Sequence, residues 1–434
     1  MNTSNKALSG RLGRVESRNV TFLSRDFPVF WESARGSWVR DADGKKYLDL
    51  TSAFAVSSLG HGAPAIRRAI RTQSAKLWHG MGDVHPSRVK VELLEALARL
   101  APGNLSVSIL SSTGAEAVES ALKTARLFTG KPGVIAFRGA YHGLSYGTLG
   151  ATDRTDFSAP FHDQLPLTTV HLPYPDRLRG PTDEEALEAV ESFLRTGARA
   201  PAGPVGAILV EPIQGRGGIR VPQPIFLKEL RALAKRYGLL LIVDEIMTGL
   251  GRTGRMFAVE YSGIVPDLLC VGKALANGFP LSACIGTPEV MSAWPLSDGE
   301  AIHTSTFLGN PLGCAMALAS LKELQSKRLA GRAGILGKWW LEELKSELGS
   351  HPRVGDIRGL GLMIGIEFVK DRKSLVPDPQ GTARVVAASL QKGLIVLSGG
   401  AGRNVLTLTP ALTITKKELR RATRILKEAL HGTH

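Results

Sequence analysis

Leu239-Leu240-Leu241-Ile242-Val243-Asp244-Glu245 runs five branched apolar residues into a pair of acids. A continuous apolar run this short, bounded by Gly238 on one side and charge on the other, reads as a strand buried on both faces. Working outward, Val107–Leu110, Val134–Phe137, Ala207–Val210, Leu268–Val271 and Ala283–Gly286 have the same character. Helix-period segments separate them. Ala115–Phe128 sets Val118, Ala121, Leu122 and Ala125 on one face, and Ile225–Tyr237 does the same with Leu227, Leu230, Leu233 and Ala234. Strands alternating with helices argue for an α/β domain around a mainly parallel sheet.

The two ends of the chain read differently. Gly36–Arg40 and Lys46–Leu50 look extended, with a turn at Asp41–Gly44 between them. Toward the C-terminus come a helical stretch over Ala315–Leu348, an extended, glycine-punctuated Asp356–Phe368 and a helix over Thr382–Gln391. Strands near Leu394–Leu397 and Val405–Leu408 and a final helix from Lys416 follow. The expected division is therefore a large domain over residues 61–315, flanked by a smaller α+β domain built from 1–60 and 316–434. The Pro-rich stretch Pro175–Asp183 reads as a surface loop.

Composition narrows the function. The 434 residues are 43% hydrophobic and 21% charged, which are globular proportions. Three cysteines, Cys270, Cys284 and Cys314, lack metal-ligand spacing and are odd in number, so no metal site and a reducing compartment are expected. The N-terminal Met1–Arg18 is polar and basic, without the apolar core of a signal peptide. No apolar run reaches the ~18 residues of a membrane helix. The expectation is a soluble cytoplasmic protein. The net charge of +15 is spread along the chain, with no helix-turn-helix, RNA-binding or zinc-finger pattern, so it reads as solvated surface rather than a nucleic-acid site.

Three features carry chemistry. Ser111-Ser112-Thr113-Gly114-Ala115-Glu116 follows a strand and opens a helix. Free N–H groups there attract an anion, although a Ser or Thr cap accounts for the pattern equally well. Asp244 stands at the carboxyl end of the apolar strand, where open α/β sheets bind ligands; a helix cap or ion pair would also put an acid there. Lys273, in Val271-Gly272-Lys273-Ala274, lies just past another strand. A desolvated lysine there offers a neutral amine for Schiff-base chemistry, and an exposed one offers nothing. Together, a phosphate-binding helix start, an acid and a lysine form the constellation for pyridoxal 5′-phosphate (PLP), which needs a lysine and an acidic partner for its ring nitrogen.

Further motifs surround these three in order. They are Gly44-Lys45-Lys46-Tyr47-Leu48-Asp49, Leu59-Gly60-His61, Tyr141-His142-Gly143, Glu211-Pro212-Ile213-Gln214-Gly215, Thr248-Gly249, Gly251-Arg252-Thr253-Gly254 and Thr306-Phe307-Leu308-Gly309-Asn310-Pro311. The set resembles the class III (ornithine/ω-amino acid type) PLP-dependent aminotransferases, from about Phe30 to Leu430. The resemblance implies fold type I of the PLP-dependent transferases. It also implies roles. Lys273 holds PLP covalently and shuttles the substrate proton, so Lys273→Ala abolishes turnover. Asp244 pairs with the ring nitrogen, and Thr113, Gly114 and Ala115 bind the phosphate. Tyr141 and Ile246 flank the ring, His142 and Glu211 shape the site beside it, and Thr306 reaches the phosphate of a neighbouring subunit. That last role implies a homodimer with shared active sites, or a tetramer.

Departures from the family bear on substrate. Leu144-Ser145 follows Tyr141-His142-Gly143 where many relatives carry Arg-Thr. Arg216 replaces the glutamate of Gln-Gly-Glu, and Thr407 stands where that glutamate's arginine partner would be. Met247 replaces a glutamine that could bond the ring's phenolic oxygen. A keto-acid acceptor such as pyruvate or 2-oxoglutarate still needs a cation for its carboxylate in a dry site. Arg216 and Arg403 are the candidates, and a surface arginine is the plain alternative for each. Phe22, Phe54, Trp78 and Leu144 are candidates for an apolar wall, with Phe54 placed in the substrate site. The amino donor is then an ω-amino acid, a primary amine or an amino acid. An acetylornithine/ornithine-type enzyme, or a PLP-dependent racemase or aminomutase on the same scaffold, are the alternatives.

Overall fold

The computed structural model describes residues 3–24 and 27–432. The outermost residues of the expected end segments, Met1, Asn2, Thr433 and His434, lie outside the described residues, as do Arg25 and Asp26. Three short strands, β1 (Trp31–Arg35), β2 (Trp38–Asp41) and β3 (Lys46–Asp49), come first as an antiparallel meander. The central strands follow: β4 (Val107–Ser111), β5 (Gly133–Phe137), β6 (Thr169–Leu172), β7 (Val205–Val210), β8 (Leu240–Asp244), β9 (Leu268–Val271) and β10 (Ser282–Gly286). They form one sheet in the order β4-β10-β9-β8-β7-β5-β6, in which β10 alone runs against the others. The mainly parallel α/β sheet expected from the apolar runs is present.

Burial explains why those runs do not alternate. Every residue of β7 and β8 is buried. Ile208, Val210, Leu241 and Val243 pack into the core on one face, with Phe226, Leu230 and Leu233 of the helix Pro224–Arg236. Ala207, Leu209, Leu240 and Ile242 face the other way, onto Ala117, Val118, Ala121 and Ala125 of the helix Gly114–Thr129. With a helix layer on each face, neither side of the strand can be polar.

The C-terminal strands are β11 (Val354–Leu360), β12 (Met363–Phe368), β13 (Leu394–Ile395), β14 (Leu397–Gly399) and β15 (Val405–Leu408). Four of them form a sheet in the order β11-β12-β15-β14, while β13 pairs in parallel with β3, Leu394 opposite Leu48. Both ends of the chain thus share one sheet.

The structure corrects several expectations. Gly36–Arg40 is not one strand: Gly36 has φ +61° and turns the chain between β1 and β2. Ala315–Leu348 belongs to two helices, Pro311–Ser326 and Leu329–Leu348, broken where Arg328 adopts φ +48°. Asp356–Phe368 is a hairpin turned at Gly361, where a Cβ would come within 2.4 Å of the Thr253 carbonyl carbon. The edge strand β6 is half-buried and shows no apolar run. The Pro175–Asp183 stretch is not wholly surface, because Pro175, Asp176 and Asp183 are buried and Asp176 pairs with Arg220 at 3.2 Å. Among the described residues, no helix is long and apolar enough to cross a membrane, and no cluster of His, Cys, Asp or Glu could hold a metal.

Candidate active site

A cavity of about 310 Å³ opens beyond the carboxyl ends of β5, β7, β8 and β9 and the start of the helix Gly114–Thr129. It is lined by Thr113, Gly114, Ala115, Tyr141, His142, Gly143, Leu144, Glu211, Arg216, Asp244, Ile246, Met247 and Lys273. Most of the residues singled out from sequence therefore come together, from segments far apart in the chain.

The helix start is built for an anion. Thr113 Oγ1 accepts from the Glu116 N–H at 3.2 Å, and Glu116 Oε2 accepts from the N–H groups of Ser112 and Thr113 at 2.7 and 3.2 Å. This capping box leaves the Gly114 and Ala115 N–H groups, which have no intrahelical acceptor. A Cβ on Gly114 would approach Ile246 to 3.0 Å, so the glycine keeps backbone and cavity close.

The acid is held from two sides. His142 Nδ1–H donates to Asp244 Oδ2 at 2.8 Å, and the Ile246 N–H donates to Oδ1 at 3.0 Å. His142 is brought there by a loop that requires Gly143, at φ +134°, because a Cβ would meet the Ala115 Cβ at 2.6 Å. Glu211, just past β7, accepts from the N–H groups of Tyr141 and Gly215, each at 3.0 Å. Burial pushes its carboxyl up to about 7.

Lys273 follows β9 with φ +39° and begins a single helical turn, Lys273–Leu275. Burial lowers its ammonium pKa, against the opposing pull of Asp244 and Glu211. Arg216 lies with Cζ 5.1 Å from the centre of the Tyr141 ring and 5.7 Å from that of Phe157. Burial lowers its pKa too, and no carboxylate among the described residues forms an ion pair with it.

These residues fit PLP. The free N–H pair suits a phosphate, the anchored carboxylate suits a ring nitrogen, the desolvated amine suits an aldehyde, and Tyr141 and Ile246 offer ring-sized surfaces. Met247 packs against Gly215, where a Cβ would clash with its Sδ.

Other expected site residues lie elsewhere. Thr306 is exposed and outside the cavity lining. Phe54, Phe22 and Trp78 are exposed and do not line it either, whereas Leu144 does. Arg403 is also absent from the lining; its side chain is 69% exposed and lies 3.4 Å from Asp156. Thr407, in the vacant arginine position, donates its hydroxyl to the Leu397 carbonyl at 3.2 Å. Sequence reading missed Arg154, Asp156 and Phe157, which surround Arg216 but carry no motif of their own.

Comparison with known proteins agrees with this geometry. The aminotransferase class-III family profile matches residues 22–430. The 4-aminobutyrate aminotransferase GabT of Escherichia coli K12 is 37% identical over 98% of each chain. The 5-aminovalerate aminotransferase DavT of Pseudomonas aeruginosa is 35% identical over 99% of each. The (S)-enantioselective omega-transaminase of Thermomicrobium roseum superposes with a TM-score of 0.90 at 32% identity over the full length of both chains. The fold is type I of the PLP-dependent transferases, and the chain belongs to the class III aminotransferases, enzymes that transfer amino groups with PLP.

Proposed function

We propose that this enzyme transfers the amino group of an ω-amino acid to a keto acid, and that Arg216 holds the carboxylate of each in turn. The observation that carries this reading is a guanidinium in the cavity wall, over Tyr141, with no ion-pair partner among the described residues. A half-buried guanidinium with no ion-pair partner among the described residues suits a carboxylate, with two parallel hydrogen bonds available.

Bound PLP supplies an electron sink for the negative charge that develops at the substrate carbon. The chain's residues do the rest. Gly114 and Ala115 bind the phosphate through their N–H groups, and Thr113 fixes that turn. Asp244 holds a proton at the ring nitrogen, oriented by His142. Lys273 Nζ, desolvated and so favoured as a neutral amine, takes the proton from the substrate carbon and returns it. Tyr141 and Ile246 confine the ring, and Glu211 fixes the Tyr141 backbone. The names of the relatives, which act on 4-aminobutyrate and 5-aminovalerate, support an ω-amino acid donor.

The active unit in this reading is a homodimer. Trp78, Met81, Val84 and Phe307 are more than half exposed, and Phe307 meets His79 with ring centres 5.4 Å apart. Thr304 Oγ1 donates to Asp83 Oδ2 at 2.8 Å, tying the Thr306 loop to the same face. An apolar face of this kind favours a partner subunit, which would receive Thr306 at its phosphate site. The three buried free thiols suit the cytoplasm.

The test is single-turnover absorbance. Adding β-alanine, 4-aminobutyrate or 5-aminovalerate to the PLP enzyme converts the lysine-linked cofactor band to the amine form, and pyruvate or 2-oxoglutarate reverses it. Arg216→Gln raises the apparent KM for both partners by about tenfold or more, the loss of one charge-assisted pair. Conversion by none of these donors, or an unchanged KM in Arg216→Gln, overturns the reading.

A further inference from the structure

Arg216 is held by its backbone as well as by the rings beneath it. Its carbonyl accepts hydrogen bonds from Arg154 NH1 at 3.2 Å and from the Gly400 N–H at 3.0 Å. Arg154 is only 7% exposed, and its three guanidinium nitrogens are all committed. Nε donates to Asp156 Oδ1 at 3.2 Å and NH2 to Oδ2 at 3.0 Å, which leaves NH1 for Arg216. Arg154 Cζ is 5.4 Å from the centre of the Phe157 ring, the same ring that Arg216 contacts at 5.7 Å.

The charges explain why the arrangement matters. Asp156 and Glu211 are the carboxylates whose charges act on the Arg216 guanidinium without pairing with it; Glu211 is tied to the Tyr141 and Gly215 N–H groups, which leaves Asp156 as the one that could turn onto Arg216. Burial pushes the Asp156 carboxyl up, but the hydrogen bonds and charges of Arg154 and Arg403 outweigh it and keep it ionised. Both Asp156 oxygens are engaged by Arg154, and Arg403 takes a further contact at 3.4 Å. Two arginines on one aspartate hold that carboxylate away from Arg216 and leave Arg216 open.

We propose that Arg154 is a positioning residue for substrate recognition: it fixes the Arg216 backbone and sequesters Asp156, so that Arg216 stays available to the carboxylate of an ω-amino or 2-oxo acid. This rests on the reading of Arg216 given above. In the absence of Arg154, Asp156 is free to turn onto Arg216 and take the place of the substrate's carboxylate. Arg403, on the glycine-rich loop Ser398–Arg403, holds Asp156 from outside and reinforces the same arrangement.

The experiment compares wild type, Arg154→Met, Arg154→Lys, the double variant Arg154→Met/Asp156→Asn, and Arg216→Gln, all as PLP enzymes. Two readings are taken. One is the Kd for sodium pentanoate, an unreactive carboxylate, by calorimetry. The other is the pair of steady-state constants, KM and kcat, with two donors: 4-aminobutyrate, and 1-phenylethylamine, which has no carboxylate. With the keto-acid acceptor held saturating for each variant, Arg154→Met weakens pentanoate binding and raises KM for the carboxylate-bearing donor by about tenfold, with kcat and the 1-phenylethylamine constants little changed. The double variant, which carries no competing carboxylate, regains most of that loss, and Arg154→Lys is intermediate. A merely structural role predicts the reverse: both donors suffer and the double variant is worse than the single. That result overturns the proposal, as does an unchanged pentanoate Kd in Arg154→Met. If Arg154→Met fails to fold, the Arg154→Lys and double variants decide by the same two readings. An Arg216→Gln enzyme that binds pentanoate as wild type does overturns the Arg216 reading itself, whereas an effect there with none at Arg154 overturns the positioning role alone.

Discussion

His142 Nδ1–H donates to Asp244 Oδ2 across 2.8 Å, and the other ring nitrogen, Nε2, is buried with no hydrogen-bond partner among the described residues. The imidazole therefore uses its one satisfied ring contact to orient the carboxylate. A tether of this kind fixes the orientation in which the Asp244 carboxylate meets the cofactor ring. His142→Leu removes the donor and leaves a buried carboxylate short of one bond, a loss of about 1–3 kcal/mol. We expect kcat to fall by roughly tenfold to a hundredfold and PLP to dissociate faster. His142→Gln, which keeps an N–H donor, loses less. Dialysis against buffer, followed by cofactor absorbance, reads the retention directly. Equal retention in wild type and His142→Leu would show that the Ile246 N–H alone suffices.

Glu245, next in the chain, points the other way. It is absent from the cavity lining and accepts hydrogen bonds from the Thr248 hydroxyl at 2.6 Å and the Ala258 and Val259 N–H groups at 2.9 and 2.7 Å. Burial nevertheless raises its carboxyl from 4.5 to about 7. A carboxyl raised in the folded state binds its proton more tightly there than when unfolded. Its contribution to stability is thus complete below pH 4.5 and is lost as pH rises through about 7. Between pH 5 and pH 8 the wild type should lose about 2–3 kcal/mol more than Glu245→Gln, which cannot ionise. Urea unfolding of both proteins at the two pH values gives the difference. The same pH change in each would mean that Glu245 titrates at its ordinary value.

Much of this was legible in the sequence because the central strands are covered on both faces. The run Leu239–Val243 has no polar residue to misplace, and its terminal Asp244 then falls at the ligand-binding edge by topology. Exposed strands were harder. β1 has no buried residue, so nothing in its composition separated it from the turn at Gly36. At the site, Arg216 stood out because it departs from the family's pattern, and it does line the cavity. Arg403 was as strong a candidate because a glycine-rich loop promises reach. The structure turns its side chain outward onto Asp156 instead. Arg154 was invisible for a different reason: its partner carbonyl is 62 positions away, and only the folded chain brings the two together.

The turn that precedes the helix Pro64–Ser74 stores strain that a single substitution can release. Ser52, Ala53, Phe54 and Ala55 have φ of +40°, +53°, +61° and +65°, four successive non-glycine residues in the left-handed region. Each costs roughly 1–2 kcal/mol. The turn persists because its neighbours hold it. Ser52 Oγ donates to the Thr409 carbonyl at 2.6 Å, and the buried Arg252 reaches Ser52 Oγ and Ser58 Oγ, each at 3.3 Å. Arg252 forms no ion pair among the described residues, and burial lowers its pKa to about 9. Its hydrogen bonds to Ser52, to Ser58, to the Pro410 carbonyl and to the Leu362 carbonyl at 3.1 Å are what offset its desolvation. Ala53 contributes only a methyl group. Ala53→Gly removes the steric penalty while keeping every one of those bonds, and should stabilise the protein by about 1 kcal/mol. Ala121→Gly, in the right-handed interior of the helix Gly114–Thr129, should destabilise it by about 1 kcal/mol or more. Opposite signs in the two urea midpoints would locate the strain in the turn. A loss of stability in both would mean that the Ser52–Ala55 backbone relaxes out of the left-handed region in solution.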